Sequence, residues 1–203
     1  LTSSGVAVKL GTDGKAPAGG ETLASVSSAT MGEQLRWMLA HSDNTLADQY
    51  CRFAARAAGA PSTYDGATET VRKTLTEAGV PTEGLTLEDC SGLSSNDKIS
   101  AHTLVGVLKA SYEGEGTEAN TMRLLPWAGL VGTLSKRMTE EPAAGNVQAK
   151  TGALQEVTSL SGSVMTKSGR VLLVSIGHDN VTEGAYATRG HLDAFEEGLA
   201  GLD

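Results

Sequence analysis

The sequence predicts an α+β fold in which helices pack on an antiparallel sheet. Helical periodicity begins at Met31 and recurs through the first half of the chain. After residue 145 the pattern becomes that of strands, with a Lys-Ser-Gly hairpin turn at 167–169 between two apolar stretches. The last segment returns to helical spacing, as one amphipathic helix packed on that sheet would.

Composition limits the class of protein. The chain has 203 residues, 39% of them hydrophobic, and a formal net charge of -8, which is typical of one soluble globular domain with a real core. The acidic balance and the lack of any run of Lys or Arg argue against a nucleic-acid partner. The longest apolar run, at 171–174, is far below the roughly 18 residues of a membrane span, so we expect none.

The cysteines and histidines carry little chemistry of their own. Cys51 and Cys90 permit one disulfide if the protein is exported, and two buried free thiols are the alternative, because spacing alone does not show that the sulfurs meet. No two of the four histidines have metal-ligand spacing. We therefore expect no metal and no other cofactor.

The first half of the chain is predicted to be mainly helical. A short strand at 5–10 and an extended stretch at 22–26 precede a helix that begins at Met31 and ends at His41. A second helix follows the Ser42-Asp43-Asn44 triplet, in which Asp43 or Asn44 can act as the N-cap, so that Ser42 and Asn44 lie at its mouth. An ordinary capped turn accounts for one of these polar residues but not for all three. The apolar face predicted for this second helix consists of Leu46, Tyr50, Phe53 and Ala57.

The remaining elements alternate helix, short strand and helix before the sheet. We predict a helix at 66–78, a strand at 85–87, a helix from 100 to 112, and strands at 158–165 and 170–176. The final helix is predicted to bury one face, formed by Thr188, Leu192, Phe195 and Leu199.

The strand around Lys150 is the part of the chain that most suggests a site. Val147 and Ala149 alternate with Gln148 and Lys150, as in a strand with one buried face, and Gly152 would let another backbone approach closely. Lys-Thr-Gly on a strand is one of three motifs of penicillin-recognising serine enzymes, which pair it with Ser-x-x-Lys and Ser-Asp-Asn. By itself Lys-Thr-Gly is a weak signal and also fits an ordinary strand end.

Five landmarks in order make the signal specific. They are 42–48 (Ser-Asp-Asn-Thr-Leu-Ala-Asp), 89–94 (Asp-Cys-Ser-Gly-Leu-Ser), 125–134 (Leu-Pro-Trp-Ala-Gly, then Gly-Thr-Leu), 150–152 (Lys-Thr-Gly) and 159–162 (Ser-Leu-Ser-Gly). With them the chain resembles the D-alanyl-D-alanine carboxypeptidase/endopeptidase family of class C low-molecular-mass penicillin-binding proteins. Cys90 departs from that pattern, which usually has a small residue such as Gly there.

The resemblance implies a β-lactamase/D,D-peptidase-like fold that is incomplete without an N-terminal segment. Residues 1–203 would be the C-terminal part of a penicillin-binding (transpeptidase-like) domain, with 1–26 a candidate tail of a preceding inserted domain. The family's Ser-x-x-Lys nucleophile motif lies upstream of the Ser-x-Asn, and this sequence begins too late to contain it. Ser95-Asn96-Asp97-Lys98 matches by letters but follows Ser42, so we regard it as a decoy.

The resemblance also implies residue roles. Ser42 would pass a proton to the leaving D-alanine, and Asn44 would hydrogen-bond the acyl side of the substrate. Lys150 would supply positive charge near the substrate carboxylate, to which Thr151 would donate its hydroxyl. On the same strand, past Gly152, the Ala153 N–H would form half of an oxyanion hole. Cys51 and Cys90 would be near neighbours, because the Cys90 landmark lies beside the Cys51 helix in the family.

These roles imply a serine-type D-Ala-D-Ala carboxypeptidase or endopeptidase of the cell envelope. It would act on peptidoglycan stem peptides and be acylated by β-lactams, with the N-terminal part of the same protein as its partner. The chain alone is predicted to be inactive. A β-lactamase, which shares the motifs, and a non-catalytic peptidoglycan-binding protein are the alternatives.

Overall fold

The computed structural model describes residues 14–15, 19–114 and 121–203. The elements, in chain order, are α1 (Met31–His41), α2 (Asn44–Ala57), α3 (Tyr64–Glu77), α4 (Ala101–Glu113), β1 (Val147–Ala153), β2 (Thr158–Met165), β3 (Val171–His178) and α5 (Ala185–Ala200). The strand predicted at 5–10 lies outside the described residues. Residues 22–26 are exposed and form no strand.

The sheet is antiparallel and has the order β1-β2-β3. Lys150 on β1 pairs with Ser161 on β2, and Leu160 pairs with Ile176 on β3. Alternate residues of β2 are buried, so one face of the sheet is apolar. The predicted α+β class is confirmed.

Helices cover both faces of the sheet. On one face α5 packs over β2 and places Leu192 in a core with Leu160 and Val164, all three of which are almost inaccessible to water. On the opposite face α4 packs on β3, where Leu108 belongs to a cluster that contacts Leu173. The strand that carries Lys150, β1, is contacted by α5 and paired along its whole length with β2.

Two predicted helix faces are wrong in detail. On α2 the buried residues are Cys51 and Ala55, whereas Phe53 is 59% exposed, because α2 packs on α3 through small side chains. On α5, Phe195 is 46% exposed and its neighbour Glu196 is 1% exposed. Hydropathy ranks Phe above Glu, but the helix orientation is set by Leu192 and Ala200, which the sheet buries.

Strand predictions also needed correction. The strand expected at 85–87 is only a single bridge between Thr86 and Lys98. On β1, Gln148 is 5% exposed and does not alternate with Val147, because its side-chain amide donates a hydrogen bond to the Leu125 carbonyl at 3.0 Å. A satisfied amide can be buried at little cost.

A second, smaller cluster positions the loop at 89–94 beside α2. Cys51 and Cys90 are joined by a disulfide with a Cα–Cα separation of 6.3 Å. The Cys90 N–H donates to the Asp48 carboxylate at 3.1 Å, and the Asp89 carboxylate accepts from three backbone N–H groups farther along the loop. The landmark residues here are therefore structural, since they tie the loop to the helix that begins at Asn44.

Candidate active site

Ser42 lies between two helices in an unusual backbone conformation. Its φ of 55° and ψ of 51° are in the left-handed region, which a residue with a Cβ seldom adopts. The conformation is held from both sides: the Asp43 N–H bonds the Met38 carbonyl at 3.0 Å, and the Asp43 carboxylate caps α2 by accepting from the Leu46 N–H at 3.0 Å. Ser42 is thus fixed at the junction of α1 and α2.

Lys150 approaches Ser42 from the sheet. Its Nζ donates to Ser42 Oγ at 2.8 Å, a hydrogen bond between residues 108 positions apart in sequence. It also donates to the Thr151 carbonyl at 2.6 Å. Burial lowers the pKa of Lys150 to about 8, and no carboxylate pairs with it among residues 19–114 and 121–203. An amine with such a pKa can hold or release a proton near neutral pH.

The turn at Gly132–Leu134 connects these two parts of the site. Gly132 has φ +61°, and a Cβ at this position would lie 2.2 Å from the Ala40 carbonyl oxygen near the end of α1. Only glycine fits such an approach. The next residue, Thr133, accepts a hydrogen bond from the Thr151 hydroxyl at 3.0 Å, while Leu134 is buried in the main core.

The outer edge of β1 is half covered. The Ala149 N–H bonds the Pro126 carbonyl at 3.0 Å, and the Ala128 N–H bonds the Val147 carbonyl at 2.9 Å, so the segment at 126–128 shields the start of the strand. Because backbone groups of alternate residues point to the same side of a strand, the Thr151 and Ala153 N–H groups point to this edge as well. There, within the described part of the chain, no backbone group pairs with them.

A cleft of about 320 Å³ opens beside this edge. Of the predicted site residues it is lined by Ser42, Thr151, Gly152 and Ala153. Asn44, the first residue of α2, does not line it, and its side chain forms no hydrogen bond within the described ranges. Lys150 does not line the cleft either, but its hydrogen bond to Ser42 joins it to the cleft wall, whereas Asn44 lies two positions from Ser42 in the chain.

Three cleft residues were missed by the sequence analysis: Thr133, Arg137 and Arg189. Thr133 belongs to the Gly-Thr-Leu landmark, and Arg137 follows it closely, so that landmark was an available signal. Arg137 forms a bidentate ion pair with Asp193 of α5, with Nε–Oδ distances of 3.0 and 3.2 Å. For Arg189 no local signal existed, because only the packing of α5 brings it to the cleft.

The Ser-x-x-Lys look-alike is a surface turn. Ser95 and Lys98 are both exposed, and the Asn96 side chain donates to the Glu88 carboxylate at 3.0 Å. A nucleophile of this class needs a basic partner in reach. Ser95 shows no such hydrogen bond to Lys98 within the described residues.

Residues 19–114 and 121–203 contain neither a metal site nor a membrane-spanning helix. No group of three or more His, Cys, Asp or Glu is arranged to hold a metal ion. None of the helices described here is long and apolar enough to cross a membrane.

The profile of the D-Ala-D-Ala carboxypeptidase 3 (S13) family matches residues 1–199. The chain belongs to this family. It is 39% identical over 170 residues to carboxypeptidase DacB of Mycolicibacterium smegmatis, covering 80% of this chain and 36% of that protein.

Other S13 relatives agree. The chain is 35% identical over 194 residues to the D-alanyl-D-alanine carboxypeptidase of an Actinomadura species, covering 88% of this chain and 35% of the relative. Its fold superposes on penicillin binding protein 4 of Haemophilus influenzae, solved in complex with a β-lactam, with a TM-score of 0.73 and 29% identity. That match covers 82% of this chain and 40% of the other. The chain thus spans only about a third of the length of the curated relatives it matches.

Proposed function

We propose that this chain is the C-terminal part of a serine-type D-Ala-D-Ala carboxypeptidase or endopeptidase that cleaves peptidoglycan stem peptides and is acylated by β-lactams. The observation that carries the proposal is the 2.8 Å hydrogen bond from Lys150 Nζ to Ser42 Oγ at the cleft. It joins two motifs of penicillin-recognising enzymes that are far apart in sequence. S13 family membership of the chain supports the same activity.

The proton path is the first function of this pair. In the proposed reaction, a serine in a Ser-x-x-Lys segment outside these 203 residues attacks the amide carbonyl, and Ser42 passes a proton to the leaving D-alanine. Lys150, with its pKa lowered to about 8, can donate a replacement proton to Ser42 through the same hydrogen bond, and the proton that the attacking serine gives up restores the balance. General acid–base transfer of this kind contributes about 10²–10⁴-fold to a rate.

The strand edge provides the second function. A ligand backbone lying along the open edge of β1 can accept from the Thr151 and Ala153 N–H groups as an added strand would. We assign the Ala153 N–H to half of the oxyanion hole, with the other half from the missing serine. Glycine at 152 avoids crowding against β2, since a Cβ there would collide with Ser159 Oγ. Asn44 is assigned to the acyl side of the substrate.

The disulfide bears on where the protein acts. Disulfides persist in oxidising compartments outside the cytoplasm, and Cys51 is bonded to Cys90. This supports a location in the cell envelope, where peptidoglycan is the substrate. We also propose that residues 1–203 are the C-terminal part of the penicillin-binding domain, with residues 1–26 as a candidate tail of a preceding inserted domain.

The test uses the full-length protein that contains this chain. We expect it to form a covalent adduct with a fluorescent penicillin and to release D-alanine from a D-Ala-D-Ala peptide. The Ser42→Ala and Lys150→Gln variants should each slow peptide turnover by about 10²-fold or more, and their combination should cost little more, since the two act as one unit. Ser95→Ala is the matched control and should leave both activities unchanged.

Other outcomes identify the alternatives. The 203-residue chain alone should give no adduct, and an adduct mapped to Ser95 on it would overturn both the decoy assignment and the proposed domain division. Rapid release of hydrolysed penicillin by the full-length protein would indicate a β-lactamase. Peptidoglycan binding with no adduct at all would indicate a non-catalytic binding protein.

A further inference from the structure

Arg189 lies at the cleft without a carboxylate partner. It is on the second turn of α5 and lines the cleft together with Thr133 and Thr151. Its guanidinium carbon lies 4.8 Å from the ring centre of Tyr186, one turn earlier on the helix. Such a cation–π contact holds the guanidinium in place without neutralising its charge.

The charges nearby explain why Arg189 stays unpaired. Asp193, four residues later on α5, is at the spacing that normally pairs with an arginine on the same helix. It is instead held by Arg137 in a bidentate ion pair in which both side chains are largely buried. Within the described residues Arg189 forms no ion pair, so its charge is available to a ligand.

Lys150, the other cation of the site, is poorly placed to bind a negatively charged group of a ligand. Two of its three donors are already committed, to Ser42 Oγ and to the Thr151 carbonyl. The Lys150 side chain is also half-buried. An arginine guanidinium, in contrast, stays protonated at any physiological pH and can bind a carboxylate through two parallel hydrogen bonds.

We infer that Arg189 determines specificity for a free carboxylate at the C-terminus of the ligand, with the Thr151 and Thr133 hydroxyls as additional polar contacts. This inference rests on the proposed function and divides the work between two cations. Arg189 recognises the ligand's negative charge, and Lys150 is left to the proton path with Ser42. Substrates with a free C-terminal D-alanine are then preferred over those in which that carboxyl group is blocked.

The test compares two substrates on the full-length protein. One is a benzoyl-D-alanyl thioester whose leaving group ends in a carboxylate, and the other is the same thioester with that carboxylate as its methyl ester. The activated acyl group makes both measurable. For Arg189→Gln we expect the ratio of kcat/KM, acid over ester, to fall about 10–100-fold, the range of a charge-assisted hydrogen bond. Arg189→Lys should restore part of the ratio.

Two further variants separate recognition from structure. Arg170→Gln removes the same charge from an exposed hairpin position outside the cleft and should leave the ratio unchanged. Tyr186→Ala should lower the ratio a few-fold, whereas Tyr186→Phe, which keeps the ring, should not.

The outcomes also separate this inference from the proposed function. If Arg189→Gln lowers both substrates equally, or neither, Arg189 does not recognise the carboxylate, although the peptidase assignment stands. If the wild-type protein turns over neither thioester and forms no penicillin adduct, the proposed function fails, and the inference fails with it.

Discussion

Glu196 makes the stability of α5 depend on pH. This side chain is 1% exposed, and its Oε1 has no hydrogen-bond partner among the described residues. Burial, together with the charge of Asp193 on the same helix face, raises the pKa of Glu196 to about 7, although Arg137 acts in the opposite direction. The carboxyl group is therefore protonated in the folded protein under conditions where it ionises in the unfolded chain.

The sign and size of the effect follow from linkage. Between pH 4.5 and about 7, Glu196 is protonated in the folded state and ionised in the unfolded state. Its contribution to the free energy of unfolding is therefore complete below pH 4.5 and is lost as pH rises through 7. A shift of about 2.5 pH units corresponds to about 3 kcal/mol at 1.36 kcal/mol per unit. Glu196→Gln carries no charge at any pH, so the variant should not show this loss.

Hydrogen exchange of α5 in the full-length protein measures this directly. At pH 8 the α5 amides of Glu196→Gln should be protected about 100-fold more than those of the wild type, and at pH 4.5 the two should agree. Glu197→Gln, at the adjacent and less buried position, is the matched control and should show a small effect at either pH. Equal protection of wild type and Glu196→Gln at pH 8 would refute the reasoning.

Three further predictions test the framework of the site. Gly132→Ala should lower penicillin acylation by the full-length protein at least 10-fold, because the new Cβ displaces the Ala40 carbonyl two residues before Ser42, whereas Gly169→Ala, in the exposed hairpin turn with open space around it, should leave acylation unchanged. Thr133→Val should slow acylation a few-fold by removing the partner of Thr151, and Thr133→Ser should not; equal rates for both would exclude that role. Replacing Cys51 and Cys90 together by serine should lower stability by about 4 kcal/mol for a 39-residue separation, seen as a lower Tm, and an unchanged Tm would contradict the estimate.

The sequence alone was sufficient where the determining forces are local. The bounds predicted for α1 and for the strand at 158–165 agree with the structure. Helix and strand periodicities depend on the order of apolar and polar side chains within a few consecutive residues. The motifs were also visible as residue types and spacings, and the family that they indicated is confirmed.

Only the tertiary structure decided which side chains meet. The approach of Lys150 to Ser42 spans 108 residues, and Arg189 reaches the cleft because Leu192 anchors α5 on the sheet. The same packing buries Glu196 and exposes Phe195, against the order that hydropathy predicts. Helix orientation and desolvation depend on what packs from distant parts of the chain, and no local pattern contains that information.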